Sequence, residues 1–342
     1  MKSLVVSNLL LLVLATAQPS LALAPAPQPA ASRFEGARSA EDVSKLLEGV
    51  TNLGRPGQSL PGEVIAFGES AFLVASAGKN EAERGTIGAA NFHKGAVVAF
   101  GHSSFLESWE VGGDGERFLA NAIRWSGGVE HPRVAYLGGG EDLRNRLEGS
   151  FPDSSSHRTF ADLPKLGKGI DVVVWVGGAL DSEQLEDLRA FVKRGGGVLL
   201  GVCPWGNQQI WDGQGKGKSI RVDLAQNQFL VEMGLVLGDA TIGDATYTLA
   251  SAGELPHAGR AVAAAIAYIQ GEEGRIDVVV EPGAAASQVA GLLRALPATP
   301  NTFQQQIEAA LRDSAFREHV PAKGRPTLKS NVAGHLGMLL AT

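Results

Sequence analysis

Three reactive side chains each stand directly behind a short apolar run: Glu69 after VIAFG at 64–68, His102 after AVVAFG at 96–101 and Cys203 after GVLLGV at 197–202. A thiol, an imidazole and a carboxylate are the parts of a Cys-His-Glu arrangement, in which the imidazole takes the thiol proton and the carboxylate orients the ring. Each residue also has a structural reading. Cys203 fits a small buried hydrophobe at a strand end, His102 a loop-bonding histidine, and Glu69 a solvated or capping carboxylate. Trp205 and Trp211 bracket GNQQI, which places two large rings beside the amides of Asn207 and Gln208. Read as a loop, this stretch would stack a sugar ring or a partner side chain, with core and rim packing as the alternative.

Metal chemistry has less support. None of the seven histidines is followed by glutamate, so H-E-x-x-H is missing, and one cysteine cannot build a thiolate site. No metal is therefore expected. Gly138-Gly139-Gly140 follows an apolar run but lacks the G-x-G-x-x-G spacing, and no nucleotide or other cofactor is expected either.

In an open α/β sheet, ligands collect beyond the carboxyl ends of the strands, so the runs before these residues are the elements that must position them. Two further runs, RVAYLGG at 133–139 and DVVVWVGG at 171–178, have the same character. Continuous apolar residues mark strands covered on both faces, the habit of parallel sheets. Helical patterns lie between them. Over 181–194, Asp181 caps, Gln184 takes the capping-box position, Leu185, Leu188 and Val192 line one face, and Gly195 stops the helix. Over 115–125, Phe118, Leu119, Ala122 and Ile123 turn inward. This alternation predicts an α/β fold with a doubly wound, mostly parallel sheet. Beyond it come a surface loop at 212–219, a helix over 224–233, β-type sequence to about 249, and helical candidates at 261–269, 287–296 and 303–316. The last group is expected to form a C-terminal helical annex.

The chain of 342 residues carries a net charge of −6, which repels phosphate backbones and argues against nucleic acid. With one cysteine there is no internal disulfide, so an apolar core must hold the fold. Lys2 and the apolar stretch 4–14 suit a secretory signal, with cleavage after residue 17 or, alternatively, 24. The expected organisation is a signal peptide at 1–17, a Pro/Ala-rich linker at 18–39, the α/β domain at 40–255 and the helical region at 256–342. Localisation would be secreted or periplasmic, with no membrane span after signal removal.

Gly201-Val202-Cys203 resembles the strand-to-helix elbow of class I glutamine amidotransferases, although Pro204 and Trp205 replace the small residues that follow the nucleophile there. FGESAFLV at 67–74, GAVVAFGHSSFL at 95–106, FLANAIRW at 118–125 and FVKRGGGVLLG at 191–201, then Trp205, together resemble the N-terminal region of the TRP-melastatin channel-associated factors (TCAF) and of related microbial proteins with an enhancin-like, gluzincin-type peptidase domain. RPTLKSNVAGHLGMLLAT at the C-terminus adds a weaker likeness. The resemblance implies an amidotransferase-like α/β module that positions partners without catalysis, peptidase chemistry residing in a separate domain. Glu69 and His102 fall on family-like positions, whereas Cys203 replaces what is usually another residue. The leading expectation is an exported binding or accessory protein with a protein or glycan partner. Its rivals are a thiol hydrolase using Cys203 with His102, and a fragment of a secreted metallopeptidase.

Overall fold

A computed structural model of the chain describes residues 37–57, 59–78, 83–107, 113–138, 141–163, 166, 168–243, 247–252, 255–263, 282–297 and 305. The expected signal segment, the linker up to 36 and nearly all of the helical candidate at 303–316 lie outside the described residues.

The strands are β1 (Gly62–Ala66), β2 (Ala71–Ala77), β3 (Arg84–Phe92), β4 (Gly95–Phe100), β5 (Val134–Gly138), β6 (Ser154–His157), β7 (Val172–Val176), β8 (Gly197–Gly201), β9 (Leu235–Thr241) and β10 (Tyr247–Leu249). Between and around them lie helices α1 (Ala37–Leu46), α2 (Ser104–Glu107), α3 (Gly115–Gly127), α4 (Glu141–Leu147), α5 (Ser182–Lys193), α6 (Pro204–Gly213), α7 (Ile220–Asp223), α8 (Ala225–Leu230) and α9 (Pro282–Ala295). Eight strands form one sheet in the order β10-β2-β3-β4-β8-β7-β5-β6. Pairing is parallel from β4 through β8, β7 and β5 to β6, and antiparallel from β4 back through β3 and β2 to β10.

Four of the five apolar runs, β4, β8, β7 and β5, therefore lie side by side as expected. The fifth does not. The run at 64–68 belongs to β1, which pairs antiparallel with β9 in a separate two-stranded ribbon. Its apolar character has the same cause as in the sheet, because both of its faces are covered. One cover is β3, where glycines allow backbone to lie on backbone: a Cβ at Gly85 would stand 2.3 Å from the Val64 carbonyl, and one at Gly88 2.8 Å from Val64 Cγ1. Those glycines also hide β3 from a propensity reading, since glycine is depleted in strands.

Side chains alternate between two layers. On one face Val173 and Trp175 of β7 join Leu185, Leu188 and Phe191 of α5, Phe229 of α8 and the β1–β9 ribbon. On the other, Val172, Val174 and Val176 meet Phe118 and Ile123 of α3, Leu143 of α4 and Leu46 of α1. Burying each such valine or leucine contributes about 1.5–3 kcal/mol. Helices on both faces make this an α/β sheet of the doubly wound kind.

Local chemistry sets the helix ends. Asp181 Oδ1 accepts the Gln184 N–H at 2.9 Å and Gln184 Oε1 accepts the Asp181 N–H at 3.1 Å, closing the capping box that starts α5. Gly195, at φ 117°, ends it. α1 is held by Asp42, whose carboxylate accepts the Asn91 Nδ2–H at 2.6 Å and the Trp125 Nε1–H at 2.9 Å. In α9, Val289, Leu292 and Leu293 share the apolar cluster of the β1–β9 ribbon. Among the described residues no helix is long and apolar enough to cross a membrane.

Candidate functional site at the carboxyl rim

β4 and β8 are parallel neighbours with Phe100 in register with Gly201, so His102 and Cys203 leave the sheet side by side. Beyond this point the chain diverges. After β4 it runs through α2 and α3 on one face, and after β8 through α6 to α8 on the other. A divergence of this kind is where open α/β sheets form their ligand crevice.

Here the crevice is filled by the chain's own backbone. The Gly62 N–H donates to the Gly101 carbonyl at 2.8 Å. A Cβ at Gly101 would stand 1.9 Å from the Gly62 oxygen, and one at Gly62 would meet the Pro204 ring at 2.9 Å. The segment before β1 continues over the rim: Trp205 Nε1–H donates to the Leu60 carbonyl at 3.2 Å, and the Ser59 and Ser104 hydroxyls are 2.6 Å apart. Beside β7, buried Gln226 donates its Nε2–H to the Gly178 carbonyl at 3.0 Å. The glycines at 62 and 101 sit at the ends of apolar runs and are the only signal of this closure in the sequence; nothing in the spacing relates Ser59 to Ser104.

The ring of His102 is committed. Its Nδ1 accepts the Ser104 backbone N–H at 3.1 Å, and since an amide can only donate, the proton of the neutral ring sits on Nε2. Burial pushes this imidazole below its ordinary range, which favours that neutral form. An imidazole protonated on Nε2 and occupied on Nδ1 has no lone pair left to take a thiol proton. Cys203 is half-buried at the N-cap of α6, and burial pushes its thiol up, opposed in part by the Gly206 amide. Its backbone, at φ −92° and ψ 92°, is ordinary extended chain and not the strained turn of a nucleophile elbow.

Glu69 is brought nowhere near this pair. It is exposed in the turn between β1 and β2, next to Ser70, whose carbonyl accepts the Asn91 N–H at 3.2 Å. Asn91 is in register with Ala96 at the start of β4. At roughly 3.3 Å per strand residue, Glu69 lies about 15–20 Å from His102, toward the amino end of β4. The alternation of apolar runs hides this, because β1 lies across β3 instead of alongside β4.

The stretch with the two tryptophans is helix α6 and not a loop. Pro204 at its first turn supplies a preset φ and lacks the N–H that would go unpaired there. Gln208 is saturated internally: its Nε2 donates to Asp212 Oδ1 at 2.9 Å and to the Lys218 carbonyl at 3.1 Å, and its Oε1 accepts the Ile220 N–H at 3.0 Å. These bonds tie down the turn after α6. Trp211 packs partly into the core, with Lys218 Nζ 5.9 Å from its ring centroid. The outward surface is supplied by half-buried Trp205 and Asn207 together with exposed Leu60, Gln209 and Ile210. Among the described residues no three metal-ligating side chains cluster.

Residues 27–252 match the TCAF_N family model, described as "TRPM8, N-terminal domain". The chain is 27% identical over 215 residues to TRPM8 channel-associated factor 2 of Bos taurus, covering 63% of this chain and 21% of that protein. It is 30% identical over 183 residues to TRPM8 channel-associated factor 1 of Pongo abelii, covering 52% of this chain and 17% of that protein. The chain thus spans about a fifth of the length of these relatives. Among solved structures, the IMPa metallopeptidase in complex with T-antigen aligns over 91% of this chain and 35% of its own, at 13% identity and a TM-score of 0.46. With about two thirds of its residues inside the family match, the chain belongs to the TCAF N-terminal domain family.

Proposed function

We propose that the protein is an exported accessory module whose amidotransferase-like sheet serves recognition and not turnover. The observation that carries this reading is the occupied His102 ring, protonated on Nε2 and bonded at Nδ1 to the Ser104 amide, beside a half-buried thiol whose proton burial holds in place. Closure of the crevice by Gly62, Pro204 and Leu60 supports it further, since a substrate carbonyl needs room beside the nucleophile. What remains for contact is the outer surface of α6 and the segment before β1, where Leu60 (47% exposed), Trp205, Asn207 and Ile210 (55% exposed) offer apolar and aromatic area with an amide among them. Surfaces of this composition suit a protein partner. The relatives' names, as channel-associated factors, favour a protein over a glycan. The channel itself is not carried over, because the expected signal segment would export this chain.

One observation favours a second reading, a thiol hydrolase: Cys203 and His102 do leave neighbouring parallel strands at the point of divergence. A single experiment separates the two. The purified chain is assayed for glutaminase, esterase and peptidase turnover beside Cys203→Ala. The accessory reading expects both proteins at the buffer rate, and wild-type turnover abolished in the variant would replace it with the hydrolase.

A further inference from the structure

Strand β6 closes one end of the eight-stranded sheet, and only its inner side is paired. The Val134 N–H donates to the Asp153 carbonyl at 3.3 Å, and Val134 and Tyr136 stand in register with Ser154 and Ser156. In a parallel pair this phase turns the N–H and C=O groups of Asp153, Ser155 and His157 toward β5 and those of Ser154 and Ser156 outward. Among the described residues nothing bonds those outward groups. Asp153 is exposed and residues 154–157 are half-buried, so the edge is open to a partner.

Native edge strands are usually blunted by lysine, proline or a bulge. β6 has none of these: its sequence is SSSH, in unbroken register with β5. A second observation points the same way. Ser154 Oγ and Ser156 Oγ, on the face shared with Val134 and Tyr136, are buried, and among the described residues neither has a hydrogen-bond partner. Buried hydroxyls in that state call for one.

The edge is complementary to itself. In an antiparallel pair the outward-facing residues must stand opposite one another. Two copies of β6 paired about Ser155 set Ser154 opposite Ser156 of the second copy, Ser155 opposite its own image and Asp153 opposite His157. Each Ser154–Ser156 pair then exchanges both backbone bonds, and its hydroxyls, on Cβ atoms about 5 Å apart, reach each other. The Asp153 carboxylate, which only accepts, meets an imidazole that can donate. Sliding the register by two residues one way would call on Pro152, which has no N–H to give. Sliding it the other way sets Asp153 opposite Thr159 and takes the carboxylate from His157.

We propose that β6 is a dimerisation edge, to which a second copy of this chain adds antiparallel across a two-fold axis at Ser155, making one sheet continuous through both. The contact occupies the same strand on each copy, so association stops at two. It is separate from the rim surface of α6.

Sedimentation of the full chain tests this. A contact this small is expected to give a reversible monomer–dimer transition between about 1 µM and 1 mM. Ser156→Pro removes an outward N–H without touching the β5 ladder and is expected to weaken the dimer at least about tenfold. Asp153→Lys is expected to weaken it about fivefold, and adding His157→Glu to restore it. In a Cys203→Ser background, Ser155→Cys is expected to form an interchain disulfide at least about tenfold faster than exposed Val222→Cys, because opposed residues at that position lie within bridging distance. A chain monomeric at about 1 mM overturns the proposal, as do growth beyond the dimer, a dimer indifferent to Ser156→Pro, or a charge swap that restores nothing. Should the proline variant fail to fold, the disulfide decides, and equal rates for Ser155→Cys and Val222→Cys refute the pairing.

Discussion

Gly101→Ala tests the closed rim directly. The added methyl would stand 1.9 Å from the Gly62 oxygen, 2.7 Å from its carbonyl carbon and 3.3 Å from its nitrogen, against an ordinary contact of 3.4 Å or more. All three neighbours are backbone, so no side chain can swing aside. β1 must retreat by about 1.5 Å, which breaks the 2.8 Å Gly62–Gly101 hydrogen bond and lifts Gly62 off Pro204. Overpacking of this sort costs about 1–3 kcal/mol and the lost bond about 1, so the expected loss is about 2–4 kcal/mol. In urea that lowers the midpoint by about 1 M for a slope near 3 kcal/mol/M. Hydrogen exchange is expected to accelerate over residues 62–66 and their β9 partners 235–241 before the β4–β8 core responds. Gly213→Ala is the control, because nothing lies within 4 Å of a Cβ there. A Gly101→Ala stability within about 0.5 kcal/mol of wild type, the scatter of neutral surface changes, would refute the picture of β1 seated on the rim.

Alkylation of Cys203 by iodoacetamide is expected to rise about tenfold per pH unit up to pH 9 without a plateau, and His102→Ala is expected to change it less than about twofold. A plateau near neutrality that vanishes in His102→Ala would contradict the tautomer argument. His257, buried, donates its Nε2–H to the Gly68 and Ala71 carbonyls at 3.1 and 3.2 Å and accepts the Arg260 N–H on Nδ1 at 3.2 Å. Burial holds its imidazole below the ordinary 6.5, so the unfolded chain is protonated first; stability present above pH 6.5 is lost as pH falls through the folded value. Glu63, pushed above 4.5, acts in the opposite sense. The wild-type change in urea midpoint from pH 7 to 5 is the difference of the two, and His257→Gln is expected to fall less, or rise more, than wild type over that range; equal slopes would remove His257 as a contributor. At the β3–β4 hairpin His93 holds φ 55°, a conformation costly for a branched side chain. His93→Gly is expected to be at least about 1 kcal/mol more stable than His93→Val by thermal melting, and a reversed order would show that the turn relaxes.

The chain's one-dimensional pattern already determined the strands β4, β5, β7 and β8, the caps of α5, the extent of α3 and the family. Each of these depends on neighbours a few residues apart: continuous apolar runs, a capping box at Asp181 and Gln184, and a stop at Gly195. Tertiary packing decided the rest. VIAFG and AVVAFG look alike as strings, yet only the second enters the large sheet, because glycines at 85 and 88 leave a flat surface against which β1 packs face on. That one placement carries Glu69 to the far end of the strands, seats Gly62 on Gly101 and buries Glu63 beside Arg84. The His102 tautomer likewise rests on where a single amide, that of Ser104, points. Spacing along a chain records which groups are available; only the fold sets the distances and hydrogen-bond partners on which proton transfer or binding depends.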